Sequence, residues 1–209
     1  MNQQHEYIGT RKLLIGIVLA VITFWLFANS LINVIPNLQT SFGSYLSTIS
    51  IAVSLTALFC GMFVVGAGSL ADYFGRVRLT IIGLWLNIFG SLLIIVSDYI
   101  PLLLMGRAIQ GLSAALIMPA TLSLIKAYYH GDKRQRALSL WSIGSWGGSG
   151  FASLFGGMIA TFLSWRWIFV FSIIVPLIAV LLIKGTPESK NQHASSRPVS
   201  YTHLRAHET

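Results

Sequence analysis

The sequence predicts an all-α membrane protein in which six transmembrane helices form one bundle. Hydrophobic residues make up 55% of the 209 residues and charged residues only 10%, and the mean hydropathy is +0.73. A soluble domain usually carries about 25% charged residues. The apolar stretches also approach the roughly 20 residues that a helix needs to cross a bilayer, and they lack the alternating pattern of membrane β-strands.

The six predicted helices cover residues 13–35, 47–67, 79–97, 100–125, 137–163 and 167–183. Helices are expected because lipid offers the backbone no hydrogen-bond partner, so each span must bond its own polar groups. The first span is too long for a cleavable signal sequence, and no small-residue cleavage site ends it. The polar run from Pro36 to Ser44 is predicted to be the turn after the first helix.

Basic residues predict the orientation, because cytoplasmic segments of membrane proteins are enriched in lysine and arginine. With the N-terminus inside, ten bases next to the spans are cytoplasmic and only Arg166 lies on the other side. The ten are Arg11, Lys12, Arg76, Arg78, Lys126, Lys133, Arg134, Arg136, Lys184 and Lys190. Both ends of the segment are therefore expected in the cytoplasm.

The predicted organisation is a cytoplasmic N-terminus (1–12), a six-helix bundle (13–183), a cytoplasmic linker (184–197) and a tail (198–209). The tail reads PVSYTHLRAHET and has neither apolar nor helical periodicity. It resembles translated sequencing-adapter sequence, so we expect it to be non-native. A short native cytoplasmic tail is the alternative.

The composition argues against several classes of function. The net charge of +8 lies beside apolar spans rather than in a solvated groove, which argues against nucleic-acid binding. The five histidines lie in loops or tails without metal-site spacing, and a single cysteine, Cys60, excludes an internal disulfide. No nucleophile–base pair lies at membrane depth, so we expect neither an enzyme nor a cofactor or metal.

A short charged segment separates the second and third spans. Residues 68–79 read GSLADYFGRVRL, with an acid at Asp72, a glycine at Gly75 and bases at Arg76 and Arg78. Such a segment is too short for a domain. It is predicted to be a tight, charged hairpin between two membrane helices.

The fourth span carries a charge, Arg107, about seven residues from its start. A charge at mid-helix costs about 2.5–3.5 kcal/mol on insertion scales, so such a side chain usually faces protein or water. Gln110 and Gly111 follow three and four residues later, on or near the same helix face. The alternative is an arginine that extends along the helix to reach the membrane surface.

The fifth span carries small residues at every fourth position: Gly144, Gly148, Ala152 and Gly156. They form one smooth stripe, which Gly147, Gly150 and Gly157 widen. A helix with such a stripe can approach another backbone closely, and it can bend or slide there.

Polar residues also interrupt the first span. Trp25, Asn29 and Asn33 recur at intervals of four, with Ser30 beside them. Substrate contact and hydrogen bonding between helices both explain polar groups at this depth. The six acids are Glu6, Asp72, Asp98, Asp132, Glu188 and Glu208. None of the six lies within a span, so the segment has no obvious membrane-depth carboxylate to carry a proton.

These motifs together resemble the major facilitator superfamily, specifically its drug:proton antiporters of the fourteen-helix type. Gly68, Asp72, Gly75, Arg76 and Arg78 match the superfamily's signature loop between helices 2 and 3. Tyr73 stands where a base is common. LMGRAIQGLSAA (residues 104–115) is similar to the helix 4 motif, whose arginine is implicated in proton coupling. The resemblance therefore implies a coupling role for Arg107.

Other parts of the resemblance are less complete. Gly148, Gly156 and Gly157 fit the antiporter motif of helix 5, but its usual Gly-Pro is Ala152-Ser153 here, so a weaker bend is expected. The sequence WRW at 165–167 is similar to the start of helix 6 in these antiporters. The aspartate usual in helix 1 is replaced by Ala28, beside Asn29, which weakens any coupling through that helix.

The resemblance implies the N-terminal half of a larger cell-membrane transporter that exports amphipathic drugs, with quinolones as a candidate class, by proton antiport. Its expected partners are those drugs, protons, the lipid bilayer and the missing C-terminal half. Trp25, Asn29, Asn33 and Gln110 are expected in the substrate cavity. The signature loop is expected to gate the conformational change, and the stripe of the fifth span to form the moving interface.

Two alternatives remain at this point. The protein could be an uptake facilitator of the same superfamily, although the antiporter-like fifth span argues against that. It could also be a membrane sensor or assembly protein that transports nothing, in which case the signature loop would have no role.

Overall fold

The computed structural model describes residues 7–189, except for the side chains of residues 27–29, 153 and 160. Its helices are α1 (Arg11–Ser30), α2 (Ile35–Phe42), α3 (Leu46–Phe74), α4 (Arg76–Ile95), α5 (Ile100–Tyr128), α6 (Gly131–Ser142), α7 (Gly148–Phe162) and α8 (Arg166–Ile183). A 3₁₀ turn (Leu31–Val34) joins α1 to α2, and a π-helical turn (Ile143–Gly147) joins α6 to α7. The predicted all-α membrane fold is confirmed.

Five helical runs in the described residues are long and apolar enough to cross a membrane. They are Arg11–Phe42, Leu46–Phe74, Arg76–Ile95, Ile100–Tyr128 and Arg166–Ile183. The remaining predicted span falls on α6, the π turn and α7, which have 12, 5 and 15 residues. Each piece is shorter than the roughly 20 residues that cross a bilayer. Together they form one continuous helical run with a π-helical interruption.

The structure corrects two predicted connections. The run predicted as a turn from Pro36 to Ser44 is mostly helical, because Pro36 lies in the first turn of α2, where its missing N–H costs nothing. The predicted hairpin over residues 68–79 shortens to one residue, Gly75, which separates α3 from α4. Its φ of 116° lies in a region that side-chain-bearing residues rarely adopt.

The helices pack side by side in the order α3, α5, α4, α8, α1 and α7. The residues of α3 are the least buried of the five candidate spans. We call the end of the bundle with Arg11, Arg76 and Lys126 the basic end, because most of the bases next to the spans lie there.

A polar layer separates the two larger apolar clusters in the interior of the described bundle. One cluster includes Leu84 of α4 and Ile117 of α5, toward the basic end. The other includes Ile94 and Leu103, toward the opposite end. Between these residues, α4, α5 and α8 contribute a set of buried polar side chains: Asn87, Ser91, Arg107, Gln110 and Ser172.

Candidate substrate cavity and its buried arginine

A cavity of about 500 Å³ lies between α1, α3 and α5. Its lining includes Phe24 and Trp25 from α1, Val53 and Cys60 from α3, and Arg107 from α5. Most of these groups are apolar or aromatic, and Arg107 is the one charged residue among those that line the cavity. A pocket of this size and composition fits a small amphipathic molecule.

Arg107 is only 1% exposed, although it is one of the largest buried side chains. Its Nε donates to the carbonyl oxygen of Ala52 at 3.2 Å, and Nη2 donates to that of Val53 at 3.2 Å. Nη1 donates to Oε1 of Gln110 at 2.9 Å. Within the described residues all three acceptors are neutral, so the guanidinium lies inside the bundle without a carboxylate partner.

The close packing of α3 and α5 explains how backbone carbonyls reach this guanidinium. A Cβ atom on Gly111 would lie 2.6 Å from the carbonyl oxygen of Thr56, so only glycine permits this approach. The hydroxyl of Thr56 donates to the carbonyl oxygen of Arg107 at 3.1 Å. Each helical carbonyl has a second lone pair, and the guanidinium takes those of Ala52 and Val53.

Three of the residues predicted for the substrate cavity can be placed. Trp25 lines the cavity and stacks on Trp146 of the π turn, with ring centroids 5.7 Å apart. Gln110 is 5% exposed and is not among the lining residues; its Nε2 donates to Oγ of Ser91 at 2.9 Å. Gln110 therefore lies next to Arg107 but outside the cavity wall, because its amide joins the guanidinium of Arg107 to the hydroxyl of Ser91.

The first-span asparagines have different outcomes. Asn33 lies in the 3₁₀ turn beyond the end of α1, where it is exposed and is not among the lining residues. The 3₁₀ turn has a different periodicity from α1, so the predicted spacing of four does not hold there. The side chain of Asn29 lies outside the described residues, and its predicted cavity contact stays a prediction.

The small-residue stripe of the fifth span packs on α1 of the same bundle. A Cβ atom on Gly144 would lie 3.3 Å from Val18, and one on Gly148 would lie 3.3 Å from Trp25. One on Gly156 would lie 2.7 Å from the carbonyl oxygen of Ser30. The stripe therefore does permit close backbone approach, and its partner is α1 of the same bundle.

Two further positions of the fifth span complete this picture. The carbonyl oxygen of Ala152 accepts a hydrogen bond from Oγ of Ser30 at 3.1 Å. A Cβ atom on Gly157 would meet nothing within 4 Å, so this glycine faces away from α1. Of the predicted interface residues, Gly157 alone is directed to an open surface.

The predicted gating residues gather at the basic end. Nη2 of Arg76 lies 2.8 Å from a carboxylate oxygen of Asp72, one turn earlier in the chain. Arg78 is exposed, while a Cβ atom on Gly68 would lie 3.7 Å from Pro119 of α5. The motif thus joins the last turn of α3 to the first turn of α4.

Glu188, beyond the end of α8, also belongs to this site. Its carboxylate accepts hydrogen bonds from the backbone N–H groups of Val77 at 2.9 Å and Arg78 at 3.0 Å. These groups are unpaired donors at the N-terminus of α4, where the helix dipole favours a negative charge. Arg76 also donates from Nη1 to Oγ of Ser189 at 3.1 Å. We call this group of contacts the clasp.

Both ends of the described chain meet near two tyrosines. The hydroxyl of Tyr128 donates to the carbonyl oxygen of Pro187, and that of Tyr129 donates to the carbonyl oxygen of Thr10 at 2.7 Å. Burial, with a smaller contribution from nearby Tyr7, raises the pKa of Tyr129 to about 12. The Tyr129 hydroxyl therefore stays a donor at neutral pH.

Sequence reasoning missed Glu188, Trp146 and the polar groups of α4 and α8. Asn87 and Ser91 are four residues apart in an apolar span, which is a usable signal for one buried helix face. Glu188 gives no such signal, because its partners lie 110 and 111 residues earlier in the chain.

Known proteins are similar to this chain in fold and in sequence. A family model for the Major Facilitator Superfamily matches residues 13–207. The quinolone resistance protein NorB of Staphylococcus aureus (strain NCTC 8325 / PS 47) is 68% identical over 187 residues, which are 90% of this chain and 40% of NorB.

Solved structures agree on the fold. A D-xylose–proton symporter aligns with a TM-score of 0.73 at 17% identity, over 85% of this chain and 48% of its own. A bacterial homologue of the human lysosomal transporter Spinster aligns with a TM-score of 0.69 at 20% identity, over 94% of this chain and 47% of its own. At such identities the likeness concerns the fold alone.

A multi-pass helical bundle with a cavity at membrane depth defines a membrane protein with a transporter fold. The chain belongs to the Major Facilitator Superfamily. It spans about 40% of the length of the curated relatives that it matches.

Proposed function

We propose that this chain is the N-terminal half of a transporter that exports amphipathic drugs, quinolones among them, in exchange for protons. The observation that carries the proposal is the cavity itself: about 500 Å³, walled by apolar and aromatic groups, with one buried arginine. Apolar walls suit an amphipathic molecule, and a single fixed charge supplies an electrostatic element that responds to protonation nearby. The relation to NorB supports quinolones as the first class to test.

In this proposal Arg107 is the coupling residue and the clasp is part of the gate. Arg107 borders the cavity, so a proton or a substrate charge that arrives there changes its electrostatic energy directly. Asp72 and Arg76 stabilise one of the two conformers by their ion pair at the basic end. The N-terminal and C-terminal halves of the transporter then rock about the cavity, which alternates between inward-open and outward-open states.

The proposed location is the cell membrane, with the basic end in the cytoplasm. Exposed residues at the two ends of the bundle allow a direct test in a Cys60→Ala background. Arg78→Cys lies at the basic end, and Tyr45→Cys, at a residue that is 85% exposed, lies at the opposite end. In intact cells, an impermeant maleimide should label Tyr45→Cys and leave Arg78→Cys unlabelled. The reverse pattern would overturn the orientation.

The function itself is tested in the full-length transporter, in everted membrane vesicles loaded with an acidic interior. A quinolone should accumulate inside, and collapse of the pH gradient with an ionophore should release it. Accumulation that ignores the pH gradient would favour the uptake-facilitator alternative. Absence of transport for quinolones and for other amphipathic drugs would contradict the proposal.

A further inference from the structure

The buried polar layer is one continuous chain of hydrogen bonds that starts at Arg107 and ends on α8. Arg107 donates to Oε1 of Gln110 at 2.9 Å, and Nε2 of Gln110 donates to Oγ of Ser91 at 2.9 Å. The hydroxyl of Ser91 donates to Oγ of Ser172 at 3.1 Å. Nδ2 of Asn87 completes the chain, since it donates to Oγ of Ser172 at 3.1 Å and to the carbonyl oxygen of Ser172 at 2.8 Å.

The donors along this chain share one direction. From Arg107 to Gln110, to Ser91 and to Ser172, each group accepts from the previous one and donates to the next. Each dipole therefore turns its negative end toward the guanidinium. Aligned dipoles in a low-dielectric interior strengthen one another, so the chain stabilises a buried cation that has only neutral partners in the described residues.

Burial excludes water from supplying these contacts. Ser91 and Ser172 are 0% exposed, while Asn87 is 5% exposed. The chain of hydrogen bonds also lies between the two apolar clusters. Each link is therefore costly to remove.

We propose that Asn87, Ser91 and Ser172 are positioning residues, which hold Gln110 and through it keep the guanidinium of Arg107 at the cavity wall. The consequence of this inference for transport rests on the proposed function. The geometry of the hydrogen-bond chain is independent of that function. It gives α8, which contributes no lining residue to the cavity, an indirect link to the coupling residue through Ser91 and Gln110.

The first test does not depend on transport. Phenylglyoxal, which modifies arginine side chains, is applied to the purified full-length protein, and modification of Arg107 is followed by mass spectrometry. Ser91→Ala should raise the modification rate by roughly threefold to tenfold, the size expected when one buried hydrogen bond is lost. The matched control is Ser113→Ala, since Ser113 is equally buried but donates to the carbonyl oxygen of Gly83, outside the chain.

Equal modification rates in Ser91→Ala and Ser113→Ala would overturn the inference. If Ser91→Ala expresses poorly, Ser172→Ala tests the far end of the same chain. The variant with both Ser91→Ala and Ser172→Ala should change the free energy that governs Arg107 modification by less than the sum of the two single changes, because groups in one network are coupled. Fully additive effects would mean that the two serines act independently, and the proposal would fail.

The second test measures quinolone export driven by a pH gradient. Ser91→Ala should lower the maximal rate by roughly threefold to tenfold, with an unchanged drug concentration for half-maximal export. Ser91→Thr, which keeps the hydroxyl, should restore most of the rate. A Ser91→Ala protein that exports at the wild-type rate would sink the inference and leave the proposed function intact. A wild-type protein that exports nothing would sink the proposed function, and the phenylglyoxal experiment would still decide the inference.

Discussion

Two arginines, one at membrane depth and one at the basic end, are held by opposite means. Arg107 is 1% exposed and donates to two backbone carbonyls and one amide oxygen. Arg76 keeps a side-chain exposure of 17% and pairs with the carboxylate of Asp72 at 2.8 Å. At membrane depth a second charge would itself need solvation, whereas at the bundle end water and salt are close.

The difference shows how a buried cation and a partly exposed cation are stabilised by different kinds of partner. Near Arg107, three neutral acceptors among the described residues replace water, and their directions decide where the guanidinium points. Near Arg76 the partners are the carboxylate of Asp72 and the hydroxyl of Ser189, and the ion pair contributes little because solvent screens it. Changes at membrane depth should therefore alter transport strongly, and changes at the basic end should alter stability mildly.

The largest expected effect comes from Arg107→Ala, which removes the membrane-depth charge. Export of a quinolone driven by a pH gradient should be abolished in the full-length transporter, because no other charged group lines the cavity in the described residues. Insertion should survive, since the span becomes more apolar. Arg107→Lys keeps the charge but loses the planar fork that reaches several acceptors, so part of the activity should remain. Wild-type export by Arg107→Ala, at equal amounts of protein on a blot, would remove Arg107 from the coupling mechanism.

A smaller effect, on stability, is expected from Gly75→Ala, which strains the backbone at Gly75 and displaces Glu188 from the clasp. The φ of 116° disfavours any side chain, and a Cβ atom there would collide with the carboxylate of Glu188. Backbone strain of this kind costs about 1–3 kcal/mol. Thermal unfolding of the purified full-length protein should begin at a lower temperature than in the wild type. Gly66→Ala is the matched control, since a Cβ atom on Gly66 meets nothing within 4 Å. Equal destabilisation by both substitutions would show that the clasp plays no part.

Glu188→Gln removes the negative charge from the clasp but keeps a side chain of nearly the same size. The amide oxygen can still accept one of the two N–H groups, so the substitution removes one hydrogen bond together with the interaction between the negative charge and the N-terminus of α4. That interaction is worth about 0.3–1 kcal/mol at low ionic strength. The lowered melting temperature should return toward the wild-type value in high salt, because exposed charges are screened there. A salt-independent difference would assign the effect to the lost hydrogen bond instead.

The smallest expected effect comes from Asp72→Asn. The two side chains are 34% and 17% exposed and lie one helical turn apart, a setting in which ion pairs contribute about 0.3–0.5 kcal/mol. The melting temperature in low salt should fall only slightly, and less than in Gly75→Ala. A loss as large as that of Gly75→Ala would mean that the ion pair, rather than the glycine, holds the basic end together.

The sequence revealed those parts of the site that stand out within an apolar run. Arg107, Asp72 and Gly75 could be found because a charge or a turn-forming glycine is rare in such a setting. The all-helical membrane fold followed from composition and span length for the same reason. Their roles in transport remain predictions.

What could not be predicted depends on which distant residues meet. Gln110 was expected to face the cavity, but its amide bonds to Ser91, 19 residues earlier in the chain. The link from Asn87 to Ser172 spans 85 residues. The π turn that carries Trp146 also left no signature, since a stripe at every fourth position describes a regular α-helix. Tertiary contacts of this kind are invisible to local periodicity.

The clasp also sets an order of events during synthesis. The N–H of Val77 is made 111 residues before the carboxylate that caps it. At the usual rate of about 5–20 residues per second, the ribosome needs roughly 5–20 s to cover that distance. During this interval the N-terminus of α4 lacks its capping carboxylate, because α5 to α8 and Glu188 have not yet been made. The N-terminus of α4 is therefore translated early but can gain its capping carboxylate only after α8 has been made.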